Sequence, residues 1–186
     1  DGGAVQDALQ QAIGSFCGEV VTAYGAGRTD SGVHARGQVA HIDLETAPAP
    51  DRVRDGLNFH LRPAPVAVIT AHYARADFDA RFSALARRYR YRIISQRAPI
   101  VLDRMQAWWV PQSLDIEAMR AASKYLLGNH DFTTFRASQC QANSPIRTLD
   151  ALDVSAGDAG IDITARARSF LHSQVRSMAG ALKLVG

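Results

Sequence analysis

Hydrophobic periodicity in this chain switches from helical to alternating and back, in two successive rounds. Val5, Ala8, Leu9, Ala12, Ile13 and Phe16 recur at helical spacing, so residues 3–16 read as an amphipathic helix. Residues 19–24 and 38–44 read as strands around a glycine-punctuated loop, 25–32. Pro48 and Pro50 break the chain, and Asp51 can cap a helix that reaches residue 60. A third strand is expected over 66–73 and a polar connector over 74–80. In the second round, 87–95 and 105–110 read as strands, and 115–127 as a helix with Ile116, Met119, Ala122 and Leu126 on one face. Residues 148–155 and 160–168 suggest a hairpin turning at 156–159, and 172–185 a last helix.

Each round approximates a split βαβ unit, which runs strand, helix, strand, strand, helix, strand. The first round lacks an opening strand and the second a closing one. The expected fold class is therefore α+β: two ferredoxin-like units joined into a mostly antiparallel sheet, with helices on one face and a cleft between the units. The expected domains are 1–77 and 78–186, and the outer strands are expected to belong to a longer gene product.

A chain of 186 residues can hold one large core or two small linked ones. Apolar residues make up 47% and charged residues 21%, an ordinary globular balance. No apolar run approaches the roughly 20 residues needed to span a bilayer, and no secretory segment opens the chain. The expectation is a cytoplasmic protein. Cys17 and Cys140 fit no ligand spacing and read as two reduced, partly buried thiols. Of the 21 basic residues only Lys124 and Lys183 are lysines, and arginine's planar fork suits phosphates and base edges. Arg81, Arg87, Arg88, Arg90 and Arg92 interleave with Phe82, Tyr89 and Tyr91. That pattern suits single-stranded nucleic acid, and equally a strand with one solvated charged face.

Other chemistries find little support. Gly25-Ala26-Gly27 lacks the third glycine of a dinucleotide turn, since Asp30 stands there, and a strand rather than a helix follows. No Gly-Lys-Ser/Thr occurs. His130-Asp131 lacks companions for a metal site, and no cysteine or serine has an evident activating base. No metal or cofactor is expected.

The most specific run is Gly27-Arg28-Thr29-Asp30-Ser31-Gly32-Val33-His34-Ala35, a loop with an acid at its tip. Glycines let backbone approach a ligand closely, and an arginine beside a carboxylate favours its ionised form. An ionised carboxylate in a sheltered site can act as nucleophile or base; an ordinary Asx-turn would use the same residues. This run resembles the active-site loop of the tRNA pseudouridine synthases that act at positions 38–40 of tRNA. Further runs resemble that family's signatures in order: Phe82-Ser83-Ala84 with Arg87-Arg88-Tyr89-Arg90-Tyr91, Gly128-Asn129-His130-Asp131-Phe132-Thr133-Thr134-Phe135-Arg136, Ser144-Pro145-Ile146-Arg147, and Phe170-Leu171-His172-Ser173-Gln174-Val175-Arg176.

The resemblance implies that Asp30 is the catalytic aspartate, Tyr89 the tyrosine that packs on the target base, and Arg176 the basic partner of the aspartate. Arg28 would help hold the flipped nucleotide, and His34, Arg81, Arg87, Arg88 and Arg136 would be RNA contacts. Without the resemblance, Arg176 would read as a solvated helix residue, as Arg36 and Arg54 do. Tyr89 shares an alternating face with Tyr91 and Arg87, and an all-core face would not carry Arg87. Gln174 departs from the methionine many relatives carry. The family's usual homodimer and its anticodon-arm substrate are implied likewise. A non-catalytic ferredoxin-like RNA-binding module would have no use for Asp30. A glycoside hydrolase would need a second carboxylate, and no comparable motif supplies one.

Overall fold

The computed structural model describes residues 4–157 and 160–186. They form two compact units: one runs through Asp30 and resumes over Ala35–Ala84, and the other holds Ser31–His34 and Leu85–Gly186.

In the first unit, α1 (Val5–Cys17) and α2 (Pro50–His60) pack together over a small core of Ala12, Ile13, Ala23, Leu57 and Leu61. Proline in the first turn of α2 occupies a position whose amide has no helical partner in any case. The strands are shorter than expected. The 19–24 strand reduces to β1 (Tyr24–Gly25) and the 38–44 strand to β2 (Ala40–His41), which pair antiparallel. Residues 66–73 join no ladder. The reason is local: side chains take the main-chain groups that a neighbouring strand would have used. Asn58 accepts from the Val68 amide and donates to its carbonyl, both at 2.8 Å. Glu19 accepts from the amides of Glu45 and Thr46, and Gln10 from that of Ala23. The alternating residues Val21, Ile42, Leu44, Val66 and Val68 still pack on the core. Their alternation reflects burial, not pairing.

The second unit is built on a five-stranded sheet. Its elements are β3 (Arg87–Ser95), β4 (Trp108–Val110), α3 (Ile116–Ser123), β5 (Gly128–Asp131), β6 (Ile146–Gly157), β7 (Gly160–Ala167) and α4 (Gln174–Val185). The strand order is β4-β3-β7-β6-β5, antiparallel except for the β3–β4 pair. Helices α3 and α4 pack against each other and on the sheet. Met119, Met178, Ala179 and Leu182 meet Ile93, Val110, Leu149, Leu152, Val154, Ile161 and Ile163 in a core closed by Phe132 and Leu171. Arg120 ties α3 to the sheet by donating from Nε to the Val154 carbonyl at 3.1 Å.

Two backbone devices set this sheet. Leu149 and Leu152 are three apart, so simple alternation would send them to opposite faces. A bulge leaves Asp150 opposite no residue of β7, with Leu149 facing Ala167 and Ala151 facing Arg166, and both leucines turn inward. Gly160 opens β7 at φ 151°, and a Cβ there would lie 2.2 Å from the Ile93 carbonyl oxygen, so only glycine fits.

Several expectations are corrected here. The 105–110 strand is confined to Trp108–Val110, because a turn in which Gln106 and Ala107 donate to the Asp103 carbonyl uses the preceding residues. The helix over 115–127 becomes 3-10 at Lys124–Leu126. Residues 128–131 form the edge strand β5, which no alternation announces because its side chains are polar. Ladders among the described residues form two sheets, of two and five strands. Asp1, Gly2, Gly3 at the expected start of the first helix, and Asp158 and Ala159 of the expected hairpin turn lie outside the described residues.

Candidate active site

Asp30 stands in the loop that joins β1 to β2. The ladder continues past the strands, since the Ala26 amide donates to the Val39 carbonyl at 2.8 Å. Gln38 Nε2 then donates to the Gly27 carbonyl at 2.9 Å, so the loop is clasped three residues before Asp30. Just beyond Asp30, Gly32 takes φ 81° in a turn, a conformation glycine adopts at little cost. Asp30 is half-buried, whereas Arg28 and His34 are exposed. Below the clasp, the rings of Tyr24 and His41 stack at 5.0 Å, and His41 Nδ1 accepts from the Ala80 amide. Gln38 and His41 were not singled out from sequence, because their roles rest on partners 11 and 39 residues away.

In the second unit, β3 runs from core to surface. Ile93 is fully buried, and Tyr91, Tyr89 and Arg87 follow on the same face with partial exposure. Tyr89 meets Phe170 edge to face at 5.1 Å, and Tyr91 meets Trp108 at 6.3 Å. Burial pushes the Tyr91 hydroxyl above the ordinary phenol range, and the positive charge of Arg176 pulls it partway back. Arg176 therefore lies on α4 within electrostatic reach of the tyrosine face, with its own side chain exposed. The entry to α4 is stiff. Ser173 adopts φ 60°, and Gln174 folds its buried side chain back so that Oε1 accepts from the Leu171 amide at 2.8 Å. Its Nε2 is buried with no hydrogen-bond partner among the described residues.

The arginine cluster divides. Arg81 belongs to the first unit, with its guanidinium 5.7 Å from the Phe82 ring. On β3, Arg88, Arg90 and Arg92 occupy the face opposite Tyr89, where Arg92 pairs with Asp162 at 3.1 Å and Arg90 at 3.9 Å. Arg87 donates from Nη1 to the Arg168 carbonyl. Arg136 follows a 3-10 turn, Thr133–Phe135, and is half-buried. His130 and Asp131 are used locally: His130 Nε2 lies 2.6 Å from the Leu127 carbonyl, and Asp131 accepts from the Thr133 amide. Both cysteines are free and partly buried.

Among the described residues no three His, Cys, Asp or Glu side chains are grouped to hold a metal ion, and no helix is long and apolar enough to cross a membrane. What the structure assembles is a carboxylate on a clasped loop in one unit. In the other stands an aromatic face with a nearby guanidinium.

A family profile described as tRNA pseudouridine synthase matches residues 122–186. The chain is 55% identical over 186 residues to the tRNA pseudouridine synthase A of Parvibaculum lavamentivorans, covering 100% of this chain and 76% of that protein. It is 57% identical over 183 residues to the enzyme of that name from Paramagnetospirillum magneticum, covering 98% and 72%. The corresponding protein of Mesorhizobium japonicum is 57% identical over 185 residues, covering 98% and 75%.

Proposed function

Because the chain belongs to the tRNA pseudouridine synthase family, we propose that it isomerises uridine to pseudouridine at positions 38, 39 and 40 in the anticodon arm of tRNA. The observation that carries this reading is the match to the relatives along this whole chain, which spans the Asp30 loop, the Tyr89 strand and the Arg176 helix together.

The reaction breaks the bond between C1′ and N1, turns the uracil, joins C1′ to C5 and releases the C5 proton. It is redox-neutral. A uridine in a stem must first leave the stack, at a cost of a few kcal/mol. Stacking on Tyr89 returns roughly 1–3 kcal/mol, and the edge contact with Phe170 holds that ring ready. Asp30 is the nucleophile, and the Gln38 clasp supports its placement. Arg176 is the basic partner of the aspartate, and Arg28 holds the flipped nucleotide. His34, Arg81, Arg87, Arg88 and Arg136 contact the RNA. The enzyme works in the cytoplasm, as a homodimer, without metal. The second unit's order β3-β7-β6, with α3 and α4 on the sheet, supports a ferredoxin-like reading of that unit.

The test is release of tritium to water from tRNA labelled at uracil C5. The parent protein is expected to release it and Asp30→Asn to release none while still binding tRNA. Comparable release by the variant would remove Asp30 as nucleophile. No release by either protein, with tRNA bound tightly, would favour a non-catalytic RNA-binding module.

A further inference from the structure

A pocket of about 250 Å³ opens in the second unit, lined by residues to which no role was assigned above. Asn129 of β5, Arg147, Thr148 and Asp150 of β6, and Arg168 and Ser169 beyond β7 line it. We propose that this pocket seats one ribose-phosphate unit of the RNA substrate. The proposal rests on the reading of RNA as substrate and deepens it.

Charge is the first argument. Among the described residues neither Arg147 nor Arg168 has a carboxylate within ion-pair distance. Two guanidiniums against a single carboxylate on one concave surface favour an anion, and their planar forks match phosphate oxygens. The Arg147 guanidinium and the Arg168 main chain are held in place. Arg147 donates from Nη1 to the carbonyls of Ser144 and Ile146, at 2.9 and 2.6 Å. The main chain of Arg168 is pinned where its carbonyl accepts from Arg87.

Asp150 is the second argument. A site for free phosphate would be harmed by a carboxylate, yet the β6 bulge adds this residue and the pocket includes it. Bulges re-aim side chains in this way. A carboxylate can accept from a ribose 2′-hydroxyl, the group that separates RNA from DNA. Asn129 and Thr148, joined by a 2.9 Å hydrogen bond, add neutral donors to the wall. Position is the third argument. Ser169 directly precedes Phe170, the ring that abuts Tyr89, so a nucleotide seated here adjoins the aromatic platform in the chain.

The test is fluorescence anisotropy of a labelled anticodon-arm RNA, and of its all-DNA counterpart, with the parent, Arg168→Ala and Asp150→Ala. Arg168→Ala is expected to weaken RNA binding roughly tenfold and to flatten the slope of log affinity against log salt by about 0.7. Asp150→Ala is expected to shrink the ratio of RNA to DNA affinity several-fold. Unchanged affinity, slope and ratio in both variants overturn the proposal. An unchanged ratio with the Arg168 effect intact overturns the ribose assignment. If the parent releases tritium and both variants bind like the parent, the pocket fails alone. If the parent releases none but the variants shift RNA binding as stated, the pocket stands and the isomerase reading falls.

Discussion

At the residue scale, Cys140 shows how local main chain sets side-chain chemistry. Hydrogen bonds from the amides of Ala142 and His172 hold its thiol below the ordinary cysteine range, with smaller help from the charges of Arg136 and Arg147. Cys17 instead donates its S–H to the Ile13 carbonyl at 3.2 Å. A thiol with a lowered pKa has more thiolate at neutral pH, and thiolate is the reactive form. Iodoacetamide is expected to alkylate Cys140 several-fold faster than Cys17, read by mass spectrometry of timed digests; equal rates would refute it. The sequence could not rank the two thiols, because the amides around Cys140 come from another loop as well as its own. The loop that carries Asp30 stands out in the sequence because it is a contiguous run. His41 and Gln38 do not, because each matters only through a partner brought near by folding.

At the element scale, the first unit replaces ladders with side-chain bridges, and the one made by Glu19 titrates. Glu19 accepts from Thr46 Oγ1 at 2.6 Å and from the amides of Glu45 and Thr46. Those bonds, the Thr46 hydroxyl first, hold its carboxyl below the ordinary glutamate range. A carboxyl whose folded pKa lies below its unfolded one contributes stability above the unfolded pKa and loses it as pH falls through the folded value. Glu19→Gln is expected to lower Tm slightly at neutral pH, with the gap from the parent closing on acidification. Differential scanning fluorimetry across pH checks this, and a gap that holds into acid would refute it. Helices α1, α2, α3 and α4 were readable from 3.6-residue periodicity, as was long β3 from its alternation. The segments 66–73 and 128–131 were not. Apolar alternation reports a buried face whether or not a neighbour pairs with it. A polar edge strand such as β5 offers no periodicity at all.

At the scale of the whole molecule, binding of tRNA should be electrostatic although the net charge is only +3. Several guanidiniums that face solvent, among them Arg28, Arg81, Arg88 and Arg168, can each displace counterions from a phosphate. Affinity for tRNA is expected to fall steeply with salt, along a straight line of log affinity against log salt. Anisotropy from low to moderate salt measures it, and a flat response would exclude a phosphate track. The amino-acid order alone determined the helices, the strand that carries Tyr89 and the family to which the chain belongs, since each is a pattern in neighbouring residues. Only tertiary structure decided which alternating segments pair. It also decided that Asp150 is turned into a pocket with Arg147 and Arg168, and that Arg176 tunes Tyr91. Those outcomes depend on register, bulges and long-range charge, and these arise only when distant segments meet.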